Sequence, residues 1–308
     1  MRCINGEKML RKTSTMRWYL VLLVIAIALV IAIPPSPGTI NKFHISLTEY
    51  RLLISTLILP FAIIWFSAFY AYNRMRLYSN EIRRTREGGA FKNISDGIGV
   101  LAWGLALTTI VSILFGAIAN AHSGFTATQK VIVGYLDILV PLIGFTLIGN
   151  GTRNLNIIAK LRPSLIGTRV IVFVFLVIGV FYTHLVVTNS ARNQNPYYLS
   201  LYWLLLTFII PYLYAWFIGL LCANEIRLYA QSIKGIIYKR VLIQLSAGIA
   251  IVILGSIVSQ FISSVYLTKH GISIGSALLF IYPVLVLEAV GYGLIAYGAR
   301  WLKRIEEV

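Results

Sequence analysis

The chain alternates between long apolar runs and short polar segments, and the runs are too long for the strands of a soluble domain. A helix rises 1.5 Å per residue, so about 20 residues cross the ~30 Å hydrocarbon layer of a bilayer. Eight apolar runs cover residues 18–33, 52–72, 97–119, 131–149, 170–187, 199–221, 241–267 and 272–297, and the first, at 16 residues, is marginal in length. The pattern predicts an all-α integral membrane protein with eight transmembrane helices, called spans 1 to 8 below.

The second half of the chain repeats the first at an offset of 151 residues. Pairs at this offset include Pro60 and Pro211, Trp65 and Trp216, Arg76 and Arg227, Tyr78 and Tyr229, Gly97 and Gly248, and Gly104 and Gly255. In the last span of each half the offset is 147 residues, pairing Gly151 with Gly298. A four-helix unit returns the chain to its starting side of the membrane. We therefore predict two tandem parallel repeats, related by a pseudo-two-fold axis along the membrane normal.

This interpretation divides the chain into two helical units with short cytoplasmic segments around them. The predicted segments are a basic N-terminus (1–16), a first four-helix unit (17–155), a cytoplasmic join (156–168), a second four-helix unit (169–302) and a tail (303–308).

The basic charge sets the predicted orientation. The net charge is +17, but only 12% of the residues are charged and 58% are hydrophobic. Of the 27 Lys and Arg residues, 22 fall on one side of the eight spans and five on the other. The positive-inside rule places the rich side, with both termini, in the cytoplasm of a plasma or inner membrane. We expect the charge to attract anionic lipid at that face and not nucleic acid. Two kinds of protein partner are compatible with this sequence: another membrane protein, or further copies of the same chain in a homo-oligomer.

Two carboxylates, Asp137 and Glu288, lie well inside apolar runs, on the last span of each unit. A carboxylate in hydrocarbon is costly, so it faces the bundle interior, is paired, or is protonated. Pro141 and Pro283 lie nearby, and a proline leaves the carbonyl four residues earlier without its helical partner. We interpret the pair as a candidate proton, cation or substrate site. The alternative is a neutral buried carboxyl that is hydrogen-bonded to a neighbouring hydroxyl or tyrosine.

Small and hydroxyl residues recur every fourth position in spans 3 and 7. They are Gly104, Thr108, Ser112, Gly255, Ser259 and Ser263. This spacing forms one stripe on each helix, which favours close helix packing. The alternative is a hydroxyl-lined path across the interface between the units.

Matching polar sets fall where spans 2 and 6 leave the membrane. Asn73 and Arg76 are repeated as Asn224 and Arg227, each set followed by a tyrosine. Interfacial anchoring is the favoured interpretation, because Arg reaches lipid phosphate and Tyr prefers the interface. A cytoplasmic docking surface or anionic-ligand clamp is the alternative.

No catalytic motif is found, so we expect no enzyme activity. We expect no cofactor either, because all four histidines map to outer loops or outer span ends, which disfavours haem. Parallel repeats, proline-broken helices and buried carboxylates are typical of a small carrier or permease with its site at the repeat interface. The alternative is a non-catalytic scaffold, sensor or accessory subunit of a larger membrane complex.

Overall fold

The computed structural model describes residues 47–121, 127–161, 165–192, 209–233, 235–266 and 274–302, together with positions 21, 24 and 28. Within these ranges the chain is helical apart from short turns such as residues 82–87, and it contains no strand. The helices are α1 (Leu47–Glu81), α2 (Gly88–Ala121), α3 (Ala127–Ile158), α4 (Leu165–Arg192), α5 (Ile210–Ser232), α6 (Ile236–Tyr266) and α7 (Ile274–Leu302). They overlap spans 2 to 8. Span 1 lies outside the described residues apart from the three isolated positions.

Most of the helices extend beyond the apolar runs that predicted them. α1 continues from the run at 52–72 to Glu81, because Met75, Tyr78 and Ser79 still pack inside the protein. α3 continues beyond the run at 131–149 to Ile158, and Leu155 in this extension is fully buried. The predicted join at 156–168 is therefore helical at both ends, and only residues 159–164 separate α3 from α4.

α3 ends in a Schellman motif whose left-handed residue is not a glycine. Lys160 has a φ of 54°. Its N–H donates to the Ile157 carbonyl at 3.0 Å, and the Leu161 N–H donates to the Asn156 carbonyl at 2.9 Å. Glycine is usual at this position because a Cβ makes the left-handed conformation costly.

The substitution Lys160→Gly is expected to raise the free energy of unfolding by about 0.5–1 kcal/mol, since it relieves this cost at some loss of chain entropy. Thermal unfolding of the purified protein in detergent measures the change. Lys160→Ala removes the same charge but keeps a Cβ, so it should give no gain. Equal stabilisation by both variants would mean that charge, and not the backbone, limits stability here.

Six helices form a closed ring, which we call the helix ring. α1 packs on α2 and α7, α2 packs on α3, α3 packs on α5, α5 packs on α6, and α6 packs on α7. α4 lies outside the ring against α5 and α6. The pairings of α1, α2 and α3 are thus reproduced by α5, α6 and α7.

Glycines allow the closest approach within the helix ring. Gly97 of α2 faces the backbone of Gly144 and Ile148 on α3. Gly248 of α6 faces the backbone of Gly291 and Ile295 on α7 in the same way. These contacts occur at the 151- and 147-residue offsets of the sequence.

Two of the described helices contain a segment long and apolar enough to cross a membrane, Tyr238–Ile262 in α6 and Tyr282–Leu302 in α7. A shorter apolar stretch, Arg169–His184, lies in α4. Its outward side exposes large hydrophobic side chains, including Phe173 (68% exposed), Val180 (69%) and Phe181 (63%). The number of spans and their orientation stay predictions.

Candidate functional site

A cavity of about 240 Å³ lies inside the helix ring, and its two walls differ in polarity. One wall belongs to α5, α6 and α7 and is mostly polar, with Tyr212, Ser256, Ser259, Gln260, Glu288 and Tyr292. The other wall belongs to α2 and α3 and is mostly apolar, with Leu101, Leu105, Val140, Pro141 and Phe145. Thr108 is the hydroxyl residue on the apolar side, and Val252 is the apolar residue on the polar side.

Hydrogen bonds hold the polar wall in place. Gln260 Nε2 donates to the Tyr212 hydroxyl at 2.9 Å, which links α6 to α5. Trp216 Nε1 donates to Ser256 Oγ at 3.1 Å, which links the same two helices. The Trp216 ring packs edge-on against Tyr182 of α4, with 5.2 Å between the ring centroids. α4 therefore supports the polar wall from behind.

The polarity difference between the walls follows from four differences between the two halves of the chain. At the 151-residue offset, Tyr212 and Ser256 correspond to Phe61 and Leu105. At the 147-residue offset, Glu288 and Tyr292 correspond to Pro141 and Phe145. In all four cases the polar member lines the cavity from the second half.

One consequence of these differences is visible at Trp65, which corresponds to Trp216. Leu105 occupies the position in the first half that corresponds to Ser256, the hydrogen-bond acceptor of Trp216. The buried Trp65 Nε1 has no hydrogen-bond partner in the described part of the chain. The first half thus keeps the tryptophan without the polar group that satisfies it in the second half.

Of the two carboxylates predicted as a site, Glu288 lines the cavity and is half-buried. Gly255 on α6 packs against it, since a Cβ there would lie 3.2 Å from Glu288 Cγ. Asp137 lies on α3 one turn before Pro141, which lines the cavity. The Asp137 side chain is outside the described residues, so the pairing of the two acids stays a prediction.

Three residues of the predicted stripes line the cavity, and a path along them stays a prediction. Gly104 packs closely against the side chain of Val140 and also lines the cavity. Thr108 and Ser259 line the cavity from opposite walls. The side chains of Ser112 and Ser263 lie outside the described residues.

The predicted cytoplasmic sets lie at matching places on α1 and α5. Arg76 and Arg227 are exposed, and Asn73 and Asn224 are half-buried. Their anchoring role stays a prediction. The tyrosines that follow them differ from the expectation of interfacial anchors, because Tyr78 is 7% and Tyr229 is 4% exposed.

These tyrosines join the two halves of the chain in a crossed tyrosine cluster, formed by Tyr78, Glu87, Phe91, Tyr229 and Tyr238. The Tyr78 hydroxyl donates to the Tyr238 hydroxyl at 3.3 Å, and the Tyr229 hydroxyl donates to Glu87 Oε1 at 2.9 Å. Phe91 packs edge-on against Tyr78, with the ring centroids 5.1 Å apart. Burial and the nearby Glu87 carboxylate raise the pKa of Tyr229.

The two bonds of this cluster are reciprocal. Tyr229 is the counterpart of Tyr78, and Tyr238 is the counterpart of Glu87, at the 151-residue offset. Tyr78 on α1 therefore bonds to a residue of the second half, and Tyr229 on α5 bonds to a residue of the first half.

A third polar contact joins α3 to α5. Thr152 Oγ1 donates to Glu225 Oε2 at 2.7 Å, and Asn156 Nδ2 donates to the Glu225 carbonyl at 3.4 Å. Burial raises the pKa of Glu225, while the Thr152 hydroxyl and the Arg153 charge act in the opposite direction. Glu225 does not line the cavity.

Sequence reasoning missed four polar lining residues, Tyr212, Ser256, Gln260 and Tyr292. For Tyr212, Ser256 and Tyr292 the available signal was an apolar-to-polar difference between the two halves; Gln260 gives no such signal, because its counterpart Thr109 is also polar. Among the described residues, no group of three or more His, Cys, Asp or Glu could hold a metal ion. Comparison with protein-family models, with curated proteins and with solved structures finds no match.

Proposed function

We propose that this chain is a polytopic membrane protein with eight spans in two parallel four-helix units. The exposed apolar side of α4 supports this, because an apolar face of that extent is unfavourable in water and is covered by lipid in a bilayer. The recurrence of the pairings of α1, α2 and α3 in α5, α6 and α7 supports two units. So do the matching glycine contacts of Gly97 and Gly248.

Within that arrangement, the function that the geometry supports best is a small carrier or permease. The cavity carries this proposal: it lies between the two units and combines a carboxyl, an amide and several hydroxyls with an apolar wall. Binding sites are typically concave, mostly apolar, and equipped with a few converging polar groups. In carriers built from repeats, such a site lies at the repeat interface, and the units move against each other around it.

Access to the cavity from both sides of the membrane tests the proposal without knowledge of the substrate. Thr108→Cys places a thiol in the cavity wall, in a background that carries Cys3→Ser and Cys222→Ala. We expect a membrane-impermeant thiol reagent to label it in both right-side-out and inside-out vesicles. The matched control is Leu107→Cys, because Leu107 is the adjacent residue on α2 and is 48% exposed on the outside of the protein. A thiol facing lipid should not react from either side.

The labelling pattern separates a carrier from its alternatives. No labelling of Thr108→Cys from either side would mean a sealed packing void and would favour an accessory or scaffold subunit. Labelling from one side alone would mean a fixed vestibule and would also contradict the carrier.

A further inference from the structure

We propose that the cavity binds a small organic monoamine as its ammonium ion, with the ammonium group on the Glu288 side and an apolar group against α2 and α3. This inference rests on the proposed carrier function and specifies its substrate class. The two walls of the cavity carry it, because they impose opposite requirements on the two ends of a ligand.

The polar wall suits a donor-rich cation. An ammonium group has hydrogen-bond donors and no acceptor, so it requires oxygen atoms around it. The wall offers the Glu288 carboxyl, the Ser259 hydroxyl and the Gln260 side-chain carbonyl. Gln260 uses its Nε2 towards Tyr212, which leaves its Oε1 as an acceptor. The rings of Tyr212 and Tyr292 add aromatic surface of the kind that attracts cations.

The sign of the charge follows from the composition of the lining. Among the described residues, the lining contains one acidic side chain and no Lys, Arg or His. An anionic ligand would be repelled by an ionised Glu288 and would find no basic group to compensate its burial. A cation instead favours the ionised form of that carboxyl.

The apolar wall excludes a second charged group on the ligand. Leu101, Leu105, Val140, Pro141 and Phe145 present no donor or acceptor side chain. The carboxylate of an amino acid placed there would lose its hydration without gaining a partner, which is unfavourable. A single amine attached to an alkyl or aromatic group fits both walls.

The volume limits the size of the ligand. The cavity volume is about 240 Å³. Typical pockets for drug-sized ligands have volumes of about 300–1,000 Å³. A small amine of about ten non-hydrogen atoms therefore suits this volume.

Protection of the Thr108→Cys thiol from labelling tests the inference. The probes are 2-phenylethylamine and n-butylamine, both cationic at neutral pH, with 2-phenylethanol and n-butanol as neutral partners and 3-phenylpropionate as an anion. We expect at least one amine at millimolar concentration to slow labelling about tenfold. Its alcohol partner and the anion should slow it less than twofold.

The substitution Glu288→Gln in the same background is expected to abolish the protection by amines. The matched control is Glu225→Gln, which changes another partly buried carboxyl that does not line the cavity, and which should keep the protection. If Glu288→Gln does not yield folded protein, the comparison of each amine with its alcohol in the Thr108→Cys protein decides the question alone.

The outcomes distinguish this inference from the proposed function. A thiol that is labelled from both sides but is protected no better by either amine than by its alcohol would overturn the amine inference and leave the carrier standing. Protection by 3-phenylpropionate instead would overturn the charge assignment. A thiol that is labelled from neither side would remove the carrier itself.

Discussion

Gly97→Ala is expected to lower the free energy of unfolding by about 2–3 kcal/mol, because the new methyl group has no space at the contact between α2 and α3. A Cβ at this position would lie 2.6 Å from the Gly144 carbonyl oxygen and 2.9 Å from the Ile148 nitrogen. Both atoms belong to the backbone, so they cannot move aside as a flexible side chain could. The helices must separate, and the loss of packing spreads along their interface. Thermal unfolding in detergent, followed by size-exclusion chromatography, measures the effect.

Gly89→Ala provides the control, since it makes the same chemical change on the same helix. A Cβ at Gly89 would meet no atom within 4 Å. Gly89 lies in the first turn of α2, where helix propensity counts for less than in the interior, so the alanine should change stability by less than about 0.5 kcal/mol. Gly248→Ala should repeat the destabilisation, because its Cβ would lie 2.7 Å from the Gly291 carbonyl oxygen. An increase in stability for Gly97→Ala would contradict the close approach of α2 and α3.

The positions of the helices could be predicted from the sequence, but their ends could not. Apolar runs such as 52–72 mark the stretch of helix that lies in a uniformly apolar environment. Beyond that stretch the helix continues wherever its inner face still packs on protein. Met75 and Tyr78 illustrate this: they follow charged and polar residues, yet they are buried between helices. When one face of a helix packs on protein and the opposite face is exposed, apolar and polar residues alternate along the sequence. A hydropathy pattern then does not show which of these positions are buried.

The candidate site could be predicted only in part, and the reason is physical. Glu288 was identifiable because an acid inside an apolar run is costly and requires a special environment. Tyr212, Ser256 and Tyr292 cost far less in such a helix, so they produce no comparable signal. A helix that is apolar on all sides also has no amphipathic stripe that would indicate which face is interior. The differences between the two halves become informative only once the helix ring brings the polar members to one wall.

The crossed tyrosine cluster provides the second large expected effect. Tyr229→Phe should lower the free energy of unfolding by about 2 kcal/mol, because a partly buried hydrogen bond to a carboxyl group is lost without a replacement. Tyr78→Phe should cost about 1 kcal/mol, since its bond to Tyr238 is longer and joins two neutral groups. A double-mutant cycle of Tyr229→Phe with Glu87→Ala, which removes the acceptor, measures the coupling between the two partners. Additive effects would contradict a direct bond.

The same bond predicts a specific pH dependence. The raised pKa of Tyr229 means that the folded protein holds this proton more tightly than the unfolded chain does. Its contribution to stability is therefore complete below the unfolded pKa of about 10 and declines as the pH rises above it. Between pH 9 and 11 the parent protein should lose more stability than Tyr229→Phe, so the difference between the two should narrow. Tyrosines outside the cluster affect both proteins equally and cancel in this comparison. Tyr229 also raises the pKa of Tyr238, so the loss of that influence in Tyr229→Phe changes the difference in the same direction. A difference that stays constant over this range would mean that the hydroxyl of Tyr229 contributes through packing and not through the proton it donates to Glu87.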